Sequence, residues 1–392
     1  MRLCYVAYSP LDLQSANSIQ TFHTLRELSN LLGERLQVIV PRFGAEAPPP
    51  FAAVRLARVP VNKLTRVYKN AWYSYVERSV YAQRAIGKIR ARTPDLIYTR
   101  DIVCAYRFAQ AQLPVLYEVH DLESQHPGQT KSARLRKWVQ RADDVALRGA
   151  RGIVSLTETF RQQIIAAGWQ PAARVFVIPD AYDEAVYFPR AKMQARRALD
   201  LPPDAPIVTY AGMTFKYRGV DVLLRAFREW NDSRAQLVLV GGRELEVREL
   251  QHLARELEIA ARVQFVGRQS PDATAQYLAA ADALVIPDTV TDATASPLKM
   301  FEYMAMARPI VCVDRASLRE ILDDGALYFP RGDAAALAHA LQQAMRADAQ
   351  PLAERAHTRA AEFTYAKRAE KIVRAAEAVV INSFASSTRA DE

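Results

Sequence analysis

Residues 296–311 read Ser-Pro-Leu-Lys-Met-Phe-Glu-Tyr-Met-Ala-Met-Ala-Arg-Pro-Ile-Val, and they hold the parts of an anion site. Ser296 suits an N-cap and Pro297 a first helical position, which leaves the amides of Leu298 and Lys299 free at the helix mouth. Aligned peptide dipoles favour a negative group there. Glu302 follows about one and a half turns in. A carboxylate that close to an anion cradle is better suited to a neutral diol such as ribose, which it can grip with two hydrogen bonds. The implied chemistry is phosphate at the helix tip and sugar hydroxyls beside it. A second polar cluster ends the apolar run 115–119, which leads into His120, Asp121 and Glu123. A histidine there can hydrogen-bond a sugar hydroxyl or stabilise positive charge on a reacting carbon. A loop histidine satisfied by Asp121 is the plain alternative. Tyr98-Thr99-Arg100-Asp101 closes the preceding strand, where Arg100 either shapes the same pocket or pairs with Asp101.

The elements that must position these groups alternate. Apolar strands at 3–8, 36–40, 96–98, 115–119, 152–155 and 175–178 are interleaved with helical stretches, the first at about 18–32. The rhythm resumes with strands at 207–211, 236–240, 263–266, 283–286 and 310–313. Strands rich in β-branched residues and separated by helices imply parallel sheets covered on both faces. The expectation is α/β, with two doubly wound Rossmann-like domains facing each other across a cleft. Residues 1–185 and 186–365 form these domains, and the helix and tail 366–392 pack on either one. Pro189, Pro202, Pro203 and Pro206 mark the seam. Ligands of such sheets bind beyond the carboxyl ends of the strands. Three glycine-bearing segments fall at those ends: 210–221 with Gly212, Lys216 and Arg218, 240–243 with Gly242, and 266–269 with Gly267 and Arg268.

A chain of 392 residues, half of them apolar, is long enough for two cores. Cys4, Cys104 and Cys312 stand singly, without the spacing of a zinc site or a disulfide framework, which suggests a reducing compartment. The opening residues lack the pattern of a signal peptide, and no apolar run approaches the roughly 18 residues that span a bilayer. A cytoplasmic location is expected, with peripheral attachment to the inner face of a membrane. The net charge of +9 is uneven, because residues 1–190 carry 26 Lys+Arg against 16 Asp+Glu, a surplus of 10. Lys63, Arg66, Lys69, Arg78, Arg84, Lys88 and Arg90 interleave with Tyr68, Trp72, Tyr73, Tyr75 and Tyr81, and Arg134, Lys137 and Arg141 surround Trp138. Cations beside interfacial aromatics suit an anionic membrane surface, while a solvated helix face over core aromatics is the ordinary reading. No nucleic-acid motif accompanies the charge.

Together these segments resemble glycosyltransferase family 4, retaining enzymes of the GT-B fold that use nucleotide-sugar donors. The resemblance covers nearly the whole chain and is most specific from 207 to 313. It implies donor binding in the C-terminal domain and acceptor binding in the N-terminal one, with Arg218 and Lys216 on the donor diphosphate. Gly212 and Gly242 would allow close approach, Gly267 and Arg268 would lie against the base, Glu302 would hold the ribose, and the Pro297-Leu298-Lys299 turn would cradle phosphate. His120 matches the active-site histidine of the family. Ser15, Ala16, Asn17 and Ser18 stand where the family often places acceptor-facing glycines, so Ser15, Asn17, Arg100, His120 and Asp121 are the acceptor-side candidates. Two positions depart from the pattern. Met213 replaces an arginine, and Thr294 replaces the first acid of a Glu-x7-Glu pair, leaving the donor sugar to Thr294, Asp288, Asp292 or the backbone near Ser296. The implied activity is transfer of a sugar to a hydroxyl of a glycan, glycolipid or lipid-linked acceptor, without cofactor or metal, since no carboxylate pair at a strand end suits an ion. A nucleotide-sugar epimerase or a non-catalytic nucleotide-sugar binder is the alternative.

Overall fold

In the computed structural model the described residues are 1–13, 15–42, 49–57, 71–125, 132–230, 232–289 and 291–388, leaving aside the side chains of 71, 72, 125 and 383–388. Lys63, Arg66, Tyr68 and Lys69, named above as part of the basic stretch, lie outside them, as does the side chain of Trp72. The chain divides into two compact units, Met1–Pro179 with Tyr365–Glu392, and Asp180–Thr364.

The first unit runs β1 (Leu3–Val6), α1 (Ala16–Leu32), β2 (Leu36–Arg42), β3 (Val54–Ala57), α2 (Ala71–Arg92), β4 (Leu96–Thr99), α3 (Ile102–Gln110), β5 (Val115–Val119), α4 (Ala133–Gly149), β6 (Gly152–Ser155), α5 (Glu158–Ala166) and β7 (Val175–Val177). The C-terminal helix, Tyr365–Thr388, completes it. All seven strands are parallel in the order β3-β2-β1-β4-β5-β6-β7. The strands β1, β4, β5 and β6 are buried throughout, as expected of a sheet with helices on both faces. The C-terminal helix lies against α1 and adds Ala369, Ile372, Ala376 and Val379 to a core with Leu25, Leu28 and Leu32.

The second unit follows the same plan: α6 (Lys192–Ala198), β8 (Ile207–Ala211), α7 (Val220–Glu229), β9 (Gln236–Val240), α8 (Glu244–Glu256), β10 (Val263–Gly267), α9 (Pro271–Ala280), β11 (Ala283–Ile286), α10 (Leu298–Ala305), β12 (Ile310–Val313), α11 (Ala316–Leu322), β13 (Leu327–Phe329), α12 (Ala334–Ala344) and α13 (Gln350–Ala360). Its six parallel strands lie in the order β10-β9-β8-β11-β12-β13. The order reverses between β8 and β11, so the segments after these two strands flank a crevice at the carboxyl rim, where open α/β sheets bind ligands.

The strands expected from sequence are present, with β1 ending at Val6 and α1 starting two residues early. β3 and β13 are additional, and both are sheet edges. Short, half-buried edges carry little of the apolar signal that marks a central strand. Of the described aromatics of the basic stretch, Tyr75 and Tyr81 are buried. Tyr81 is buried and its hydroxyl donates to the carbonyls of Ala7 and Ile39 at 2.9 and 3.0 Å. Trp138 packs edge-on against Tyr75 and Tyr106. On α4, Arg134, Lys137 and Arg141 are exposed opposite a buried face of Leu135, Val139 and Leu147.

Candidate functional site

In the second unit the three glycine-bearing strand ends form one rim. Gly212 donates its amide to the Val240 carbonyl at 2.9 Å, and Gly241 to the Gly267 carbonyl at 2.7 Å. A side chain at Gly241 would stand 2.5 Å from the Gly212 carbonyl oxygen, and its φ of 102° belongs to the region that glycine favours, so the backbones meet there because neither carries bulk. Gly242 follows on the same turn, and Arg268 is exposed just past Gly267.

Helix α10 enters this rim from the other side of the switch point. Its cap is Pro297, with extended backbone and no side-chain hydrogen bond to the first turn. This corrects the expectation for Ser296, whose buried hydroxyl instead accepts the Asp180 amide at 3.2 Å. The loop ahead of Leu298 and Lys299 is thereby tied back, and among the described residues no side chain caps the helix mouth. Tyr303 fixes the helix to the sheet, its hydroxyl accepting the Ala211 amide at 2.7 Å.

Lys299 then reaches back across the crevice. Its Nζ lies 3.8 Å from the centre of the Tyr210 ring and would touch any side chain at Gly212, at 2.6 Å. It has no solvent contact and no hydrogen-bond acceptor among the described residues. Burial, with the positive charge of Arg218, holds its pKa well below the ordinary lysine value against the pull of Glu302. Arg218 stands at the end of a 3₁₀ turn whose next residue, Gly219, is left-handed and packs against Asp288. The Arg218 Nε and the Thr214 hydroxyl, like Lys299 Nζ, are buried without a partner among the described residues. Lys216 is exposed on the same turn. Glu302, one turn beyond Lys299, accepts a hydrogen bond from the Tyr187 hydroxyl; burial nevertheless pushes its carboxyl up to about 7, opposed by Tyr187 and Lys299. Buried polar groups are ordinarily paired, so two cationic side-chain nitrogens and a hydroxyl without partners among the described residues could take an anionic, oxygen-rich ligand.

The loop after β11 is already engaged. Arg315, itself buried, donates to Asp288 at 2.5 and 3.1 Å and also pairs with Asp292, and Arg331 adds a contact to Asp288 at 3.0 Å. Asp288 and Asp292 hold the loop's shape through these bonds. Thr294 is buried and shares a hydrogen bond with Thr291 at 2.5 Å.

In the first unit the rim after β4 and β5 carries the other candidates. The His120 Nε2–H donates to Glu118 at 2.5 Å, and Arg100 donates to Nδ1 at 3.1 Å. Asp101 caps α3, accepting the Cys104 amide, and pairs with Arg78 at 2.6 Å. Asp121 is half-buried beside His120. Ser15 is the N-cap of α1, where its hydroxyl accepts the Ser18 amide at 3.1 Å, and Asn17 is exposed in the first turn. Glu118 is a residue the sequence reading passed over. Its signal was one acid inside the otherwise apolar run Val-Leu-Tyr-Glu-Val.

Comparison with known proteins agrees with this architecture. Residues 205–347 match the family model described as Glycosyl transferases group 1, and residues 20–181 match the Glycosyl transferase 4-like domain. D-inositol 3-phosphate glycosyltransferase of Acidothermus cellulolyticus is 28% identical over 200 residues, covering 48% of this chain and 44% of that protein. The matched stretch therefore spans less than half the length of this relative. Among solved structures, sucrose-phosphate synthase of Thermosynechococcus elongatus aligns with a TM-score of 0.78 at 20% identity, over 98% of this chain and 100% of its own. Anabaena HepE in complex with UDP-glucose gives 0.73 at 18% identity, over 95% and 98%. These likenesses establish the GT-B fold, and with a matching family model on each Rossmann-like unit the chain belongs to the family 4-like glycosyltransferases.

Proposed function

We propose that this protein is a retaining glycosyltransferase that moves a sugar from a nucleoside-diphosphate sugar to a hydroxyl of a glycan, glycolipid or lipid-linked acceptor. The observation that carries the reading is the pair of buried nitrogens, Lys299 Nζ and Arg218 Nε, that lack an acceptor among the described residues at the switch point of the second sheet, with Lys299 Nζ beside Gly212. A diphosphate supplies the missing acceptors. The uncapped mouth of α10 adds amide donors and a favourable dipole, and Glu302 takes the ribose diol. Met213 removes one cation from the usual place, and Lys299 supplies one from the helix. The UDP-glucose in the HepE complex supports a nucleotide-sugar donor for a chain of this fold.

Breaking the sugar–phosphate bond sends its electron pair to the diphosphate oxygen and leaves an oxocarbenium-like sugar. Lys299 and Arg218 stabilise the charge that develops on the leaving group, a contribution that fixed donors in a water-poor site make strongly. The acceptor oxygen attacks from the face the diphosphate leaves, and its proton passes to a phosphate oxygen. These fixed charges take the part a metal ion would play, so transfer proceeds with chelator present. Synthesis of surface polysaccharide or another glycoconjugate is the setting this reaction suits.

The experiment is a thermal-shift series with nucleoside diphosphates and their sugars in the presence of chelator. One nucleotide family raises the melting temperature of the parent, and Glu302→Ala and Arg218→Ala lose most of the rise. Equal shifts in parent and variants contradict the site. Thr294 and Met213 favour a second reading, a nucleotide-sugar binder without turnover. Normal donor affinity with no sugar transfer to any acceptor would establish it instead.

A further inference from the structure

The carboxylate of Glu118 has no solvent exposure, three hydrogen-bond donors and a guanidinium in ion-pair contact. Gln20 Nε2 from α1 donates to Oε1 at 2.9 Å, and His120 Nε2 donates to the same oxygen. Arg368, from the C-terminal helix, reaches Oε2 at 2.7 Å, and the Tyr98 hydroxyl donates to it as well. An ionised carboxylate offers about four lone-pair sites, so its accepting capacity is filled. Burial alone pushes such a carboxyl up, but Arg368 and the His120 contact overcome it and hold Glu118 at about 2. Arg368 is fixed in its turn, donating to the Pro179 carbonyl at 3.1 Å and to the Thr24 hydroxyl at 3.3 Å.

The consequence falls on His120. A guanidinium only donates, so the nitrogen that meets Arg100, Nδ1, accepts, and the proton of a neutral ring sits on Nε2 facing Glu118. With Nε2 committed to a saturated carboxylate inside the sheet, the lone pair on Nδ1 is what the ring can offer a substrate hydroxyl. Arg100 occupies that lone pair now.

We propose that Glu118, anchored by Arg368 of the C-terminal helix, is a positioning residue that fixes His120 as the Nε2–H tautomer, so that the imidazole works through Nδ1, accepting a sugar hydroxyl in place of the Arg100 guanidinium. The inference rests on the transferase reading for the identity of the hydroxyl, while the tautomer is a property of the free protein. It also gives the C-terminal helix a role in the chemistry through one side chain. An orienting carboxylate behind a histidine is a known way of selecting its tautomer.

The test uses the full chain labelled with ¹⁵N-histidine and long-range ¹H–¹⁵N correlation, with the His120 signals assigned by their loss in His120→Asn. The parent shows a protonated Nε2 and a lone pair on Nδ1. In Glu118→Gln and Arg368→Met the ring becomes a tautomer mixture, and kcat for sugar transfer falls by about 100-fold while the donor KM stays within about twofold. Tyr98→Phe, which removes one donor without stranding a charge, gives a smaller change in the same direction should the first two variants fail to fold. A parent ring protonated on Nδ1 overturns the proposal, as do folded variants that keep both tautomer and rate. If the parent transfers no sugar, the transferase reading fails and the tautomer measurement still judges the role of Glu118.

Discussion

Glu118, next to last in β5, and Glu302, in the helix after β11, are carboxylates near the carboxyl rims of two similar parallel sheets, and burial leaves them in opposite states. Desolvation pushes Glu118 up, but the Arg368 guanidinium and the His120 contact overcome it and hold the carboxyl at about 2. Glu302 rises to about 7 because its partners, the Tyr187 hydroxyl and a lysine that itself gives up charge readily, do not offset desolvation. The rest of each site follows its acid. Around His120 both ring nitrogens and both Glu118 oxygens have partners, whereas around Gly212 the Lys299 Nζ, the Arg218 Nε and the Thr214 hydroxyl have none among the described residues. A saturated network fixes geometry before any ligand arrives, and an unsaturated one stores affinity for a ligand that completes it.

The largest expected effect is at the saturated site. Arg368→Met strands the Glu118 charge inside the first unit and costs about 3–5 kcal/mol of stability by chemical denaturation. Its pH dependence identifies the cause. In the parent the folded pKa of Glu118 lies below its unfolded value, so its contribution, about 3 kcal/mol, is fully present above pH 4.5 and is lost as pH falls through about 2. In the variant that loss moves toward neutral pH. A variant as stable as the parent, with an unchanged acid limb, removes the ion pair from the account.

A smaller effect is expected at the unsaturated site. Glu302 grips a diol best as a carboxylate, and a pKa of about 7 means that binding must release a proton at lower pH. Fewer protons in the complex than in the free chain makes affinity rise with pH, so nucleoside affinity measured by calorimetry weakens about tenfold per unit below that value. Glu302→Gln flattens the profile. A parent profile that is flat from pH 5 to 8 contradicts the assignment.

The contrast also explains what the sequence could and could not disclose. Central strands announce themselves by continuous apolar runs, and β5, β8, β9 and β11 begin and end where those runs do. Gly212, Gly267 and Glu302 were visible because glycines after strands and an acid in an apolar helix are local signals. The partners of Glu118 were not. Gln20, Tyr98 and Arg368 lie on three elements scattered along the chain, and only the fold brings them to one carboxylate. Lys299 was read for its amide, since its sequence position says nothing of a side chain that doubles back over Tyr210. Nothing local marks Asp288 and Asp292 as already engaged, because Arg315, their partner, follows two elements later.

Calorimetric titration of the parent and of Lys299→Met with UDP, ADP and GDP, each beside its nucleoside, tests the anion site most directly. The unsaturated site predicts one diphosphate bound about 30-fold more weakly by the variant, near 2 kcal/mol for a lost charge-assisted bond, with nucleoside affinity unchanged. Equal diphosphate affinity in the two proteins, or an equal loss for nucleoside and diphosphate, would contradict it.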